Sequence, residues 1–196
     1  MALKEALLAV VVGLPAPWYG QNRQPETDEQ YRERVQIIAE AITLEAERSK
    51  AWPHGVAGLA IATLTLWEAE SSLSYDVHAN TGNDPWGQDH GKARCLGQLH
   101  SSRLVPKEEW ETLAGADLEA TRRCANATMR VLRAQYRVCQ KRGAPGDPIA
   151  NMYEIYANGR SCTPKARSLR RARRYRQLMN QFYVEQNKQK RDEPNG

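Results

Sequence analysis

The apolar run from Val56 to Trp67 ends in Glu68-Ala69-Glu70-Ser71, which puts carboxylates at the end of a helix with little else polar in it. At 100° per residue, Glu70 falls on the stripe of Leu59, Thr63 and Leu66, so its carboxyl group is expected along a buried face. Burial favours the neutral acid. A glutamic acid kept neutral near pH 7 can protonate a leaving oxygen, which is the first requirement for cleaving a glycosidic bond. The competing reading is a helix-end glutamate paired with a nearby arginine, because structural ion pairs also perturb carboxyl groups. A second place for chemistry is the turn-rich loop from Asn80 to Gly91, where Trp86 has no obvious core to join and suits the face of a sugar. Trp52, Trp67 and Trp110, at helical positions, are expected to fill the core.

The elements that must position these groups are helical, with Gly and Pro marking the breaks. Thr27 can cap a helix starting near Asp28, whose apolar face of Ile37, Ile38, Ala41, Ile42 and Leu44 runs until Trp52-Pro53 stops it. The Glu70 helix follows. Pro106 opens a short helix through Trp110 to Leu113 that Gly115 ends. Asp117 opens a long one, ended by Gly143-Ala144-Pro145-Gly146. Asp147-Pro148 starts another that reaches Tyr156. A last helix is expected from Pro164 to about Gln186, followed by a loose polar tail. The pattern contains no convincing hairpin and no internal repeat.

Three segments occur in the order and at roughly the spacing of one known family. They are Glu70-Ser71, then Ala93-Arg94-Cys95-Leu96-Gly97-Gln98-Leu99, then Ile155-Tyr156-Ala157-Asn158-Gly159. Together they resemble lytic transglycosylases and goose-type lysozymes, in which a helix ends in Glu-Ser, a Gly-Leu-Met-Gln-Ile-like turn follows, and a later helix ends in Ala-Tyr-Asn-x-Gly. The resemblance covers about residues 54 to 162. Cys95 stands where the family usually has Gly, Gly97 where it has Met, and Ala157 separates the tyrosine from the asparagine. The change to Cys95 bears on backbone geometry, since only Gly takes positive φ cheaply.

The resemblance implies an all-α, lysozyme-like domain that cleaves the glycan strand of peptidoglycan between N-acetylmuramic acid and N-acetylglucosamine. Glu70 would protonate the bridging oxygen as an oxocarbenium-like centre develops. In a transglycosylase the same carboxylate then takes the proton of the sugar's own 6-hydroxyl as an anhydro ring closes. In a hydrolase an aspartate should position water, and Asp84 and Asp89 in the loop after the Glu70 helix are the candidates. Ser71, Gln98, Tyr156, Asn158 and Trp86 are expected to bind sugar or line the site. The alternative is a non-enzymatic virion or interaction protein that kept the fold and lost the activity.

A chain of 196 residues suits one compact domain with extensions, here an N-terminal apolar segment and helix over 1–53, a catalytic domain over 54–163, and a basic C-terminal helix and tail over 164–196. The net charge of +5 conceals a local excess: Lys165, Arg167, Arg170, Arg171, Arg173, Arg174 and Arg176 lie in a stretch without an acid, and the rest of the chain is therefore slightly acidic. This patch could meet an anionic wall polymer or virion and envelope proteins, or be simply a solvated helix face. Nucleic acid is disfavoured, since no recognition motif accompanies the cluster.

Four cysteines permit disulfides. If residues 117 to 142 form one helix, Cys124 and Cys139 are about 22 Å apart along its axis and cannot pair. Two full connectivities stay open, Cys139–Cys162 with Cys95–Cys124 or the crossed arrangement, besides four reduced thiols; Cys139 with Cys162 is favoured. No cofactor or metal is expected, as His54, His78, His90 and His100 do not cluster and no close cysteine pair occurs. The segment Ala6 to Leu14 has the length of a signal-peptide core and is too short to span a bilayer. Its flanks fit such a signal poorly: Glu5 cancels Lys4, and a cut after Ala16 leaves Leu14 where a small residue is preferred. The expected location is the cell envelope or periplasm, or a phage particle in which the apolar start packs against a partner.

Overall fold

The computed structural model describes residues 2–15, 26–49, 52–79 and 92–192. It is mostly helical, with eight helices among the described residues: α1 (Ala2–Val12), α2 (Asp28–Arg48), α3 (Gly55–Ser71), α4 (Tyr75–Ala79), α5 (Lys107–Glu111), α6 (Leu118–Lys141), α7 (Pro148–Asn158) and α8 (Ala166–Asp192). Capping chemistry explains several boundaries. The Thr27 hydroxyl accepts from Gln30 N while the Gln30 side chain accepts from Thr27 N, a reciprocal box that satisfies two orphan donors at the start of α2. Asp117 and Asp147 accept from Ala120 N and Ile149 N at the starts of α6 and α7. The last helix is longer than expected: it runs to Asp192, because Lys188, Gln189, Lys190 and Arg191 are good helix formers and no breaker stands before Pro194.

Helix α3 is the centre. Every residue from Gly58 to Trp67 is buried, as expected of a helix that is apolar all round. Its threonines are satisfied internally, Thr63 and Thr65 donating to the carbonyls of Leu59 and Ile61. Helices α1, α2, α6 and α8 pack on it. One hydrophobic cluster draws on all of these segments, from Leu7 and Val10 of α1 through Ile38, Leu64, Trp67, Leu132 and Tyr153 to Leu178 and Phe182 of α8. The apolar start of the chain therefore covers its own α2 and α8 rather than being left for another molecule. Among the described residues no helix is long and apolar enough to cross a membrane.

One element departs from the sequence pattern. Ala93–Arg94 (β1) and Leu99–His100 (β2) pair antiparallel, Ala93 opposite His100 and Arg94 opposite Leu99, around the turn at 95–98. Strands of two residues leave no alternation to read. The hairpin is held from outside, since Trp110 Nε1 donates to Leu99 O at 2.8 Å and the Arg94 guanidinium lies 4.2 Å from the Trp110 ring centroid. Trp67 and Trp52 are core residues, whereas Trp110 is only partly buried.

Both disulfides use α6 as their anchor. Cys95–Cys124 ties the 95–98 turn to its first half, and Cys139–Cys162 ties its last turn to the segment after α7, with Cα–Cα distances of 6.1 and 5.6 Å. The crossed arrangement and the four free thiols are both excluded.

Candidate functional site

Four residues other than glycine adopt positive φ among the described residues, and they fall at two places only: Ser72 (50°) and Leu73 (54°) directly after the Glu70 turn, and Cys95 (55°) and Gln98 (50°) in the hairpin turn. Left-handed backbone costs a side-chain-bearing residue about 1–2 kcal/mol and persists only where the surroundings over-determine it. At Ser72 and Leu73 the restraint is a run of bonds: Ser72 N donates to Glu68 O at 3.0 Å, and Ser71 Oγ donates to Trp67 O at 2.6 Å while accepting from Leu73 N. At Cys95 it is the disulfide to α6, with Gln98 N donating to Cys95 O at 2.9 Å. Cys95 is thus locked by its own sulfur.

Gly97 has a steric reason. A Cβ there would stand 2.7 Å from Thr128 Oγ1 and 3.3 Å from Trp67 Nε1. Those two atoms are themselves bonded at 3.1 Å, so the space that a methionine would need is filled by a Trp67–Thr128 contact.

The hairpin turn meets α7 through Tyr156, whose hydroxyl donates to Gly97 O. Burial pushes the Tyr156 phenol far above its usual value, and the negative charge of Glu70 adds to the effect, so the ring stays neutral across the working range of pH. Glu70, the turn and Tyr156 therefore converge on one end of α3. Gln98 is half-buried and turned onto its own loop, with Nε2 donating to Cys95 O at 3.2 Å.

Glu70 does not sit in an apolar pocket, which corrects the expectation drawn from its helical stripe. Its side chain is 15% exposed and faces α8, with Arg171 Nη2 at 2.6 Å and Arg167 Nη2 at 3.4 Å. The helix-end ion pair is the geometry found. Glu68 reaches the next turn of α8, where Arg174 grips it through Nε at 2.9 Å and Nη2 at 2.6 Å, a contact that raises the pKa of Arg174. The basic run is thus not remote from the carboxylates. It borders them, and Arg171 is only 5% exposed.

Ser71 and Asn158 are occupied locally. Ser71 is buried and closes the end of α3. Asn158 Nδ2 donates to Glu154 Oε1 at 2.6 Å, while its Oδ1 accepts from the backbone of Arg160 and Ser161. Asp84, Trp86 and Asp89 lie outside the described residues. No group of three or more His, Cys, Asp and Glu gathers as a metal site among the described residues.

Glu154 is a residue that motif reasoning passes over. It is buried on α7 and joins three parts of the chain, accepting from Asn158 Nδ2, from Ser168 Oγ at 2.7 Å and from Lys165 N at 3.0 Å. The signal was a lone carboxylate in the apolar run Ile149 to Tyr156. Burial alone would raise its pKa, but the hydrogen bonds from Ser168, Lys165 N and Asn158 outweigh it and hold the carboxyl below the ordinary value of 4.5. This node fixes the start of α8 and hence the register of Arg167 and Arg171 against α3. A lowered folded value means stabilisation that is present above about pH 4.5 and lost as pH falls through the folded value. The melting temperature of Glu154→Gln should therefore lie below that of the native chain at pH 7, with the gap narrowing as the pH falls below about 4.5. A gap independent of pH would remove Glu154 from this role.

Comparison with protein-family models, curated proteins and solved structures returned no match. Function therefore rests on this geometry and on the resemblance of the three short segments.

Proposed function

We propose that the protein cleaves the glycan strand of peptidoglycan between N-acetylmuramic acid and N-acetylglucosamine, with Glu70 as the acid and then the base. The observation that carries this reading is the distribution of backbone strain. All four left-handed residues other than glycine among the described residues flank Glu70 or form the turn that Tyr156 holds. Left-handed residues that bear side chains cluster at functional sites, and here both pairs lie at the end of α3 that carries Glu70.

In this reading Glu70 gives its proton to the bridging oxygen as the muramic carbon gains positive charge. The resulting carboxylate then accepts the proton of the 6-hydroxyl while that oxygen closes the ring. Arg171 stabilises the charged half of this cycle, and the acid half requires the bound strand to part the pair. Tyr156 commits its proton to Gly97 O and keeps oxygen lone pairs free for a sugar hydroxyl.

One observation favours the second reading, a structural or interaction protein of lysozyme-like shape: the Glu70 carboxylate is already paired with Arg171 and Arg167 of α8. Digestion of purified peptidoglycan with mass analysis of the soluble fragments separates the two. Fragments with anhydro ends are expected, reducing ends would mean hydrolysis instead, and an absence of fragments would transfer the assignment to the structural reading.

A further inference from the structure

The basic residues of α8 divide between two faces. Arg167, Arg171 and Arg174 turn towards α3, where Glu70 and Glu68 take them. At 100° per residue, Arg170, Arg173, Arg176, Lys188 and Arg191 fall within about 120° of arc on another, exposed side. Arg170, Arg173 and Arg191 hold no ion pair among the described residues. Arg176 meets Asp147 and Lys188 meets Glu185, yet more than half of each of these two side chains stays in water. The one acid between residues 166 and 191 is Glu185, which lies about 60° outside that arc.

The same side exposes three large apolar residues, Leu169 at 41%, Tyr183 at 47% and Val184 at 53%. From Leu169 to Arg191 this face runs for about 33 Å. Its back is fixed, since Ala172, Tyr175, Leu178 and Phe182 are buried in the core and α8 packs on α1 and α3. A partner therefore meets a helix that is already folded, and binding forfeits no entropy of helix formation. Any polyanion is drawn to such a row of cations, so the apolar residues decide between partners. Against a nucleic-acid backbone or a wall polymer, both hydrated throughout, Leu169 and Val184 stay in water. At a lipid surface the headgroups meet the cations, while the aliphatic side chains and the Tyr183 ring reach the acyl boundary about 5–10 Å deep. The long arginine stems bridge the two layers.

We propose that the outer face of α8 docks the folded protein on an anionic phospholipid leaflet, with the helix lying along the surface. The contact is peripheral and separate from the Glu70 site, and it stands whether or not glycan is cleaved.

The test is co-sedimentation of the full chain with vesicles of equal parts phosphatidylglycerol and phosphatidylcholine, compared with phosphatidylcholine alone, at low salt. The anionic vesicles should bind the protein and the neutral ones should not. Each cation near an anionic leaflet contributes about fivefold, so Arg170→Gln, Arg173→Gln and Arg191→Gln together should weaken partitioning by about 100-fold. Leu169→Ser with Val184→Ser should weaken it by about tenfold and remove whatever attachment survives at high salt. All five positions are exposed, so the melting temperature of both variants should match that of the native chain. Equal binding to both vesicles would overturn the proposal. So would binding untouched by Leu169→Ser with Val184→Ser, because attraction to any polyanion would then suffice. A duplex oligonucleotide or purified peptidoglycan that strips the protein from the anionic vesicles would overturn it too, in favour of that polymer. Fragment release from peptidoglycan is read separately, so vesicle binding without fragments sinks only the cleavage reading, and fragments without vesicle binding sink only the lipid surface.

Discussion

Glu70→Gln should reduce glycan cleavage by about 10² to 10⁴, because the amide matches the acid in shape and has no acidic proton to give. The structure adds a complication that decides how the experiment must be run. Arg171 is buried and Glu70 is its counter-charge, so the single substitution also leaves a guanidinium without its partner. Breaking a buried pair from one side costs about 3–5 kcal/mol; with Glu70 partly exposed, the lower end of that range or less is expected. A fall in activity could then be confused with a fall in stability. The double variant Glu70→Gln with Arg171→Met removes both charges and keeps an apolar stem in place. Its melting temperature should recover towards that of the native chain while activity stays lost. Restored activity in the double variant would reduce Glu70 to a structural residue. Glu68→Gln is the control: its pair with Arg174 is more exposed on both sides, so it should cost under about 1 kcal/mol and leave most turnover intact.

Reduction of the two disulfides should be the largest change in stability available without mutation. The loops they close span 29 and 23 residues and do not overlap in sequence, so their effects on the unfolded chain are nearly independent. The loop-entropy estimate is about 3.5 kcal/mol for each, or about 7 together, against the about 5–15 kcal/mol that holds a typical domain folded. For a chain of this length that corresponds to a drop of about 15–25 °C in melting temperature, read by calorimetry with and without a reductant and with thiol alkylation to verify reduction. Loss of Cys95–Cys124 alone should act on function as well, since that bond holds Cys95 in its left-handed conformation beneath the turn that Tyr156 touches. An unchanged melting temperature with four alkylated thiols would mean that the bridges constrain nothing that packing does not already fix.

What the sequence determined by itself is what acts over a few residues. Thr27, Asp117 and the Asp147-Pro148 pair set helix starts because an orphan N–H two or three residues away needs an acceptor, and no distant contact is involved. The burial of α3 followed from an apolar run with no polar face. The impossibility of a Cys124–Cys139 bond followed from helix rise alone. The tertiary structure decided everything that depends on which surface meets which. Glu70 falls on a buried stripe by angle, but whether that stripe meets a leucine or an arginine depended on α8, with Arg167 coming from 97 residues further on. The seven basic residues from Lys165 to Arg176 read as a surface patch because their total charge is legible in one dimension. The Arg167, Arg170, Arg171 and Arg174 stripe, which could have matched two carboxylates at the end of an apolar helix, acquired its meaning only by packing. Ser71 and Asn158 show the same limit from the other side: a hydroxyl or an amide suited to a sugar is equally suited to an unsatisfied carbonyl or carboxylate nearby, and intramolecular partners that folding holds in place at high effective concentration take it first.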